Sequence, residues 1–298
     1  MFEGSMLKSN FIIFNNNMTA QILDGKLISQ QLIEHIGEKV TKRINKGHRA
    51  PGLAVILVGD NPASEIYVRN KVKACEKAGI ISSSHKLPRN VSETELFHLI
   101  DELNDDNDIH GILVQLPLPQ HINETHVTNR ISPNKDVDGF HAENVGRLAL
   151  RQPGLRPCTP RGIMTLLHAY DIIPKHKHCV IVGASNIVGR PLMLEMLYAG
   201  ATVTVCHRFT KDLQKHVESA DMLCVAIGKP GIVKSEWVPK DCIVIDVAIN
   251  RLENGKLCGD VDFEAVKENV AWISPVPGGI GPMTVATLMQ NTFEASLL

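Results

Sequence analysis

Tyr67 and Lys71 stand four residues apart in the stretch Pro62 to Gly79, PASEIYVRNKVKACEKAG. On a helix that spacing sets a phenol and an amine on one face, one turn apart. Ser64 and Ala74 fall near that face, and Lys73 points elsewhere. A phenol beside a lysine can do acid–base work when the ammonium is partly desolvated, because burial lowers a lysine pKa toward neutrality. A solvated helix with a chance Tyr/Lys pair would read the same, so the pair alone does not decide.

The elements around it bear on the choice. The helix is capped near Asn61-Pro62 and stops at Gly79. Before it, Gly52 to Asp60 (GLAVILVGD) is a continuous apolar run, the pattern of a buried parallel strand. Earlier still, Ile22, Leu23, Leu27, Ile28, Leu32, Ile36, Val40 and Ile44 recur at helical spacing, predicting a helix over 20–46. After it, SSSHKLP is a short strand candidate, and Ser92 to Glu95 is a capping box that opens another helix. His110 to Pro119 (HGILVQLPLP) is a further buried strand with Gln115 at its C-terminal end. This βα alternation predicts a parallel sheet, whose ligands sit beyond the carboxyl ends of the strands. Asp60, Gln115 and the start of the Tyr67 helix gather there. Asn134 to Leu148 is loop-like and sets Asp136 and Asp138 beside Gly139. It lacks the ligand spacing of a calcium loop, and a structural Asp turn remains open.

Composition sets the bounds. The 298 residues suit two domains, and 44% hydrophobic content is enough for buried cores. With 31 basic and 32 acidic residues, nothing suggests a broad nucleic-acid surface. The seven cysteines show no CxxC spacing, which argues against a zinc site and fits reduced thiols in a cytoplasm. No apolar run approaches a membrane span. Residues 1–17 match neither a signal peptide nor the pattern that follows, and are set aside as an extension.

The second half repeats the theme. Pro157 to Tyr170 reads as a helix with Thr159 capping and Pro160 at its first position. His178 to Gly200 reads as strand, turn and helix, with Gly183 ending the strand and Gly189 in the first helical turn. The spacing G-x-S-x-x-x-G departs from G-x-G-x-x-G, so the dinucleotide signal rests on context. TVTVCHRFT, DMLCVAIGKPG, CIVIDVAINR and VAWISPVPGG supply four more strands, with a helix over 212–220. Repeated β–α–β units with glycines at strand ends make a Rossmann-type sheet; a doubly wound domain that binds no nucleotide stays open. Three glycines and three prolines within Pro275 to Pro282 fix a rigid loop that a ligand could approach closely. A helix over 283–298 closes the chain.

The motifs SEIYVRNKVKAC, VQLPLP, KDVDGF, PCTPRG, GASNIVGRP, GKPG, VIDVAINR, GDVDF and PVPGGIGPMTVATL, in this order, resemble the bifunctional methylenetetrahydrofolate dehydrogenase/cyclohydrolase family, bacterial type. The resemblance spans about Ala20 to Ser296. It implies two α/β domains with a cleft between them: a catalytic, folate-binding domain over 18–158 and a Rossmann-type domain over 159–282. The helix 283–298 would pack back on the first. It further implies NADP-dependent oxidation of 5,10-methylenetetrahydrofolate, then hydrolysis of the methenyl compound to 10-formyltetrahydrofolate. This is one-carbon metabolism supplying purine biosynthesis, in a cytoplasmic homodimer with no nucleic-acid, membrane or metal partner.

On the matching positions the resemblance makes Lys71 the catalytic lysine, Tyr67 its neighbour over the substrate, Gln115 the residue that tunes the lysine, and Asp138 the holder of the pterin ring. Leu116, Pro277, Gly278 and Gly279 complete the substrate site. Gly183, Ala184, Ser185, Ile187, Val188, Gly189, Arg190, His207, Arg208, Ala226, Ile227, Gly228, Ile249, Gly279 and Thr284 form the cofactor site. The second strand of that domain ends in His207-Arg208-Phe209-Thr210, with no acidic residue before Asp212. An arginine there can pair with a 2′-phosphate, and Thr210 can add a hydroxyl donor, so NADP is expected over NAD.

The chain departs from the family pattern at residues 1–17, at Ala248 and at Ala184, where many members carry arginine; the last moves weight to Arg208 or Arg190. It also lacks the synthetase domain that some eukaryotic relatives append, so no ligase activity is expected. A short-chain dehydrogenase also uses Tyr-x-x-x-Lys, but there the glycine turn comes first in sequence. A non-catalytic dinucleotide sensor would not need Tyr67, Lys71, Gln115 and Asp138 together.

Overall fold

In the computed structural model the described residues are 19–298. The expected extension, 1–17, lies outside them. The chain begins with β1 (Gln21–Ile22) and α1 (Gly25–Asn45), then β2 (Gly52–Val58), α2 (Pro62–Ala78), β3 (Ile81–Leu87), α3 (Glu93–Asp105) and β4 (Gly111–Val114). Next come α4 (Glu124–Arg130), α5 (Ala142–Ala149) and α6 (Cys158–Ala169). The second half runs β5 (His178–Val182), α7 (Gly189–Tyr198), β6 (Thr202–Cys206), α8 (Leu213–Glu218), β7 (Met222–Val225) and β8 (Ile243–Asp246). It ends with β9 (Asn250–Arg251), β10 (Leu257–Cys258), α9 (Phe263–Val266), β11 (Trp272–Ile273) and α10 (Ile280–Ala295).

The chain divides into two compact units, one of 30–158 with 285–298, the other of 159–284 with the described residues up to Ser29. In the first, β3, β2 and β4 form a three-stranded sheet in that order, all parallel. Every residue of β2 is buried, as its unbroken apolar run requires. Ala54, Ile56 and Val58 pack with Leu96, Ile100 and Leu103 of α3 and with Ile112 and Val114 of β4. The capping box at Ser92 forms as expected and starts α3.

The second unit holds a six-stranded parallel sheet of order β1-β11-β8-β7-β5-β6. Its core gathers Val180, Val182, Leu223, Val225, Val244 and Ile273. The order steps outward in both directions from the β5/β7 pair, so this is a doubly wound sheet.

Several boundaries differ from the sequence reading. Residues 20–24 are not helical. β1 pairs in parallel with β11, and Gln21 and Leu23 donate to the carbonyls of Ala271 and Ile273, so 19–29 join the second unit. Helix α6 starts at Cys158, so Thr159 is inside it, and its hydroxyl meets that of Thr284 at 2.9 Å instead of capping. β4 ends at Val114, one residue before Gln115. CIVIDVAINR is not one strand: it breaks after Asp246, and Asn250–Arg251 pairs antiparallel with Leu257–Cys258. α8 starts one residue late because Asp212 is left-handed, φ 50°, and it ends at Glu218, before the expected 220. α10 begins at Ile280, three residues before the expected start.

Candidate active site

The α2 helix starts as read, with Ser64 N–H donating to Asn61 Oδ1 at 3.3 Å, and Gly79 ends it at φ +69°. Tyr67 and Lys71 then differ sharply. Tyr67 is 43% exposed, whereas Lys71 is buried at 9%. Lys71 Nζ donates to Gln115 Oε1 at 3.0 Å. Gln115 is held from both ends: its Nε2 donates to the Leu116 carbonyl at 2.7 Å and its backbone N–H to the Ile56 carbonyl at 2.9 Å. Tying the amide nitrogen to a carbonyl leaves the amide oxygen for the lysine; the flipped amide would set two donors against one another.

The segment that carries Asp138 is anchored residue by residue. Lys135 Nζ caps the end of α3, donating to the carbonyls of Leu103, Asn104 and Asp106 at 3.0, 2.7 and 2.7 Å. Ile112 N–H donates to the Lys135 carbonyl at 2.8 Å. The buried Asp136 carboxylate accepts from His141 N–H at 2.8 Å and Asn144 Nδ2 at 2.9 Å. Burial pushes its pKa up, and those donors pull it back. Gly139 is at φ +78°, and a Cβ there would sit 2.4 Å from the Arg156 carbonyl carbon and the Pro157 nitrogen. The Asp138 carbonyl accepts from Cys158 N–H at 3.1 Å, and Asn291 of α10 donates to the Val137 carbonyl at 2.7 Å.

These contacts leave the Asp138 side chain half-buried. Withdrawal from water raises its pKa, the Lys71 ammonium pulls it down, and Asp136 adds to the rise. Asp136 and Asp138 line a small apolar pocket with Ile112, Val114, Leu116 and Phe140. Lys71, Gln115, Leu116 and Asp138 therefore belong to one neighbourhood of the first unit, with Tyr67 one turn before Lys71.

The remaining predicted residues lie in the second unit. Gly183 closes β5 at φ +126°, and a Cβ there would stand 2.3 Å from the Ala226 carbonyl oxygen. A Cβ on Gly189 would stand 2.0 Å from the Gly183 oxygen. Neither position takes another residue without backbone movement. Between them Ser185 Oγ accepts from Val188 and Gly189 N–H at 3.2 and 3.4 Å, and Arg190 Nε donates to the Ala184 carbonyl at 3.2 Å. Ser185, Ile187 and Arg190 are exposed.

After β6, Thr210 Oγ1 accepts from His207 N–H at 2.8 Å, and Phe209 N–H donates to His207 Nδ1 at 3.2 Å. Thr210 thus builds the turn itself. The Arg208 guanidinium stacks over the Phe209 ring at 4.5 Å from its centroid, and both side chains are exposed. After β7, Ile227 and Gly228 donate their N–H groups to Asp260 Oδ2 at 2.8 and 2.9 Å. The Pro275–Gly279 turn is bound to the start of α1: Lys26 N–H donates to the Gly278 carbonyl at 2.8 Å. A Cβ on Gly25 would fall on the Gly279 oxygen.

Four residues with structural weight were not singled out from the sequence: Asp246, Asp260, Asn144 and Asn291. For Asp246 a signal existed. A carboxylate ending the apolar run IVID must find donors or remain protonated. It accepts from the N–H groups of Asp260 and Val261 at 3.0 and 2.9 Å, yet burial still raises its pKa to about 6.

A doubly wound parallel sheet with a glycine turn after β5, joined to a unit bearing a buried lysine beside a carboxylate, defines a dinucleotide-linked α/β enzyme. Residues 23–138 match the tetrahydrofolate dehydrogenase/cyclohydrolase catalytic domain, and 157–297 match the NAD(P)-binding domain of the same family. The bifunctional methylenetetrahydrofolate dehydrogenase/cyclohydrolase of Campylobacter jejuni is 51% identical, with TM-score 0.92 over 93% of this chain and 99% of that one. A silkworm 5,10-methylenetetrahydrofolate dehydrogenase is 39% identical, with TM-score 0.88 over 93% and 98%. The Trypanosoma brucei dehydrogenase-cyclohydrolase, solved with NADP cofactor and an inhibitor, is 35% identical, with TM-score 0.89 over 94% and 99%. The chain belongs to the tetrahydrofolate dehydrogenase/cyclohydrolase family, and it is a bifunctional enzyme of folate one-carbon interconversion, an oxidoreductase and a hydrolase.

Proposed function

We propose that the protein oxidises 5,10-methylenetetrahydrofolate to the 5,10-methenyl compound with NADP, and hydrolyses that compound to 10-formyltetrahydrofolate, with Lys71 as the proton-transfer group. The observation that carries the reading is the buried Lys71 amine, 3.0 Å from a Gln115 oxygen whose own amide is pinned to Leu116. Lys71, as the free amine, takes a proton from the water that attacks the methenyl carbon. As the ammonium, it returns a proton to the ring nitrogen as the C–N bond opens. Gln115 fixes the amine's position, and Tyr67 supplies a hydroxyl one helical turn away. Asp138 accepts hydrogen bonds from the amino and ring N–H groups of the pterin, and Leu116 and the Pro277–Gly279 turn bind substrate.

The second unit fits a dinucleotide. Its β5–α7 turn brings backbone against backbone at Gly183 and Gly189, where any Cβ would strike main chain, the close strand–helix packing that a dinucleotide turn requires. Ala184, Ser185, Ile187, Val188 and Arg190 would line that turn, and His207, Ala226, Ile227, Gly228, Ile249, Gly279 and Thr284 would complete the cofactor site. When bound, NADP supplies the acceptor for the hydride that leaves the one-carbon bridge. Arg208, with no carboxylate before Asp212, is the group that would pair with the 2′-phosphate.

We read the chain further as a cytoplasmic homodimer without nucleic-acid or membrane partners. The near-zero net charge supports the reading without a nucleic-acid partner; among the described residues no helix is long and apolar enough to cross a membrane. The dimer rests on the family resemblance. Turnover of methylenetetrahydrofolate, followed by absorbance of the methenyl product with NADP and with NAD, tests the function. Product formation favouring NADP is expected, and no product with either cofactor would overturn the reading.

A further inference from the structure

The loop after β7 has no ladder to hold it. It carries two glycines in the left-handed region, Gly228 at φ +79° and Gly231 at φ +72°. Its backbone N–H groups converge on one residue in a distant motif. Asp260 Oδ2 accepts from Ile227 and Gly228 N–H, and Oδ1 accepts from Asn250 Nδ2 at 2.9 Å. Its carbonyl accepts from Gly231 N–H at 2.9 Å, and its own N–H donates to Asp246 Oδ1. Asp260 is 0% exposed, so none of these bonds competes with water. Ile227 and Ile249, by contrast, are 44% and 38% exposed. The loop backbone is held from inside the unit while those side chains remain at the surface.

We propose that Asp260 is a positioning residue for the dehydrogenase step: by fixing the N–H groups of Ile227 and Gly228 and the amide of Asn250, it holds Ile227 and Ile249 in the shape that receives the dinucleotide. The proposal rests on the dinucleotide reading above. A simpler core residue would fill the space but could not accept three donors. Satisfying two consecutive N–H groups and an amide at once requires both carboxylate oxygens. The hydrolytic step uses Lys71, Gln115 and Asp138, which lie in the other unit, and it consumes no dinucleotide. Asp260 therefore acts on one activity only.

The test is Asp260→Asn, with the two activities measured separately alongside thermal melting. An amide offers one acceptor oxygen, so either the loop N–H groups or Asn250 loses its partner. The KM for NADP is expected to rise about tenfold, the loss of one hydrogen bond to a charged group. Dehydrogenase kcat should fall less than the KM rises, and hydrolysis of the methenyl compound should stay within about twofold of the parent. The exchange D260N/N250D restores complementarity, because the new amide at 260 can donate to the new carboxylate at 250, and it should recover most of the NADP KM. An unchanged KM, an equal fall in both activities, or no recovery in the exchange would overturn the proposal. Should Asp260→Asn fail to fold, Asn250→Ala removes only the Oδ1 partner: a raised NADP KM with hydrolysis intact supports the proposal, and an unchanged KM overturns it. A parent protein that binds neither NADP nor NAD would sink the underlying reading and the proposal together. Normal NADP binding in both parent and variant would sink the proposal alone.

Discussion

Around Lys71 the polar groups are side chains in bonded sets, with Lys71 and Asp136 buried and Gln115 and Asp138 partly so. Around Gly183 the turn is drawn tight by its glycines and by Ser185 Oγ, which accepts from two of its N–H groups, while the Ser185 and Arg190 side chains stay exposed. In the first region Lys71, Gln115 and Asp136 are placed by side-chain bonds, and Asp138 is carried on a segment that those around Asp136 anchor. In the second, Gly183 and Gly189 contribute by lacking side chains, and Arg190 and Arg208 are exposed. The contrast follows from the two tasks. On the reading proposed above, moving a proton needs an amine held in one place, as Gln115 holds Lys71. Binding a long anionic cofactor needs close backbone approach and donors that can move to meet it. Substitutions in the first region should therefore act on folate turnover and folate binding, and those in the second on dinucleotide affinity.

The largest expected effect comes from Lys71→Met, which keeps the apolar stem and removes the amine. Hydrolysis of the methenyl compound should fall by about 10²–10⁴-fold with the fold intact by circular dichroism. Next is Asp138→Ala. Each hydrogen bond lost to a charged group costs roughly 1.5–3 kcal/mol, so folate binding should weaken at least tenfold while NADP binding stays nearly unchanged. Titration of both ligands checks this; equal weakening of both would make Asp138 a structural turn residue. Arg208→Ser tests the other side of the comparison. It should reduce NADP affinity by roughly 1.5–3 kcal/mol and leave NAD affinity nearly unchanged, because only one of them carries the 2′-phosphate. Its side chain is exposed and stacked on Phe209, which places the outcome toward the lower end.

The smallest effect concerns Asp246. Its folded pKa, about 6, lies above the ordinary value of 3.8. The folded state therefore holds the proton more tightly than the unfolded chain. The stability linked to that proton is fully present below pH 3.8 and is lost as pH rises through about 6. Lowering the pH from 7 to 5 should thus stabilise the parent by about 1 kcal/mol relative to Asp246→Asn, which does not titrate. Denaturant unfolding at the two pH values measures the difference. A parent that loses stability relative to the variant over that range would show that the donors at 260 and 261 outweigh burial.

Much of this contrast was legible in the sequence because it is local. The Tyr67/Lys71 spacing, the stop at Gly79, the capping box at Ser92 and the apolar run of β2 each depend on neighbours a few residues away. What escaped depends on partners far along the chain. β1 is two residues long and takes its place from β11, some 250 positions later, so no periodicity announces it. Asn291 reaches Val137 across 154 positions, and Asp260 reaches Ile227 across 33. Thr159 looked like a cap by type and place, but its hydroxyl is met by Thr284, which only the folded unit brings near. The motifs KDVDGF, GKPG and GDVDF were visible as patterns. Their internal division of labour was not: Lys135 and Asp136 anchor the segment that carries Asp138, and Asp260 holds Ile227.

On the reading proposed above, the hydrolytic proton transfer belongs to Lys71 and is independent of the dinucleotide. Hydrolysis of purified 5,10-methenyltetrahydrofolate with no dinucleotide in the cuvette, by parent and by Lys71→Met side by side, tests it most directly. Turnover by the parent, and a rate about 10²–10⁴-fold lower with the variant, is expected. Hydrolysis by the variant at the parent rate, or a parent that hydrolyses nothing until a dinucleotide is added, would contradict it.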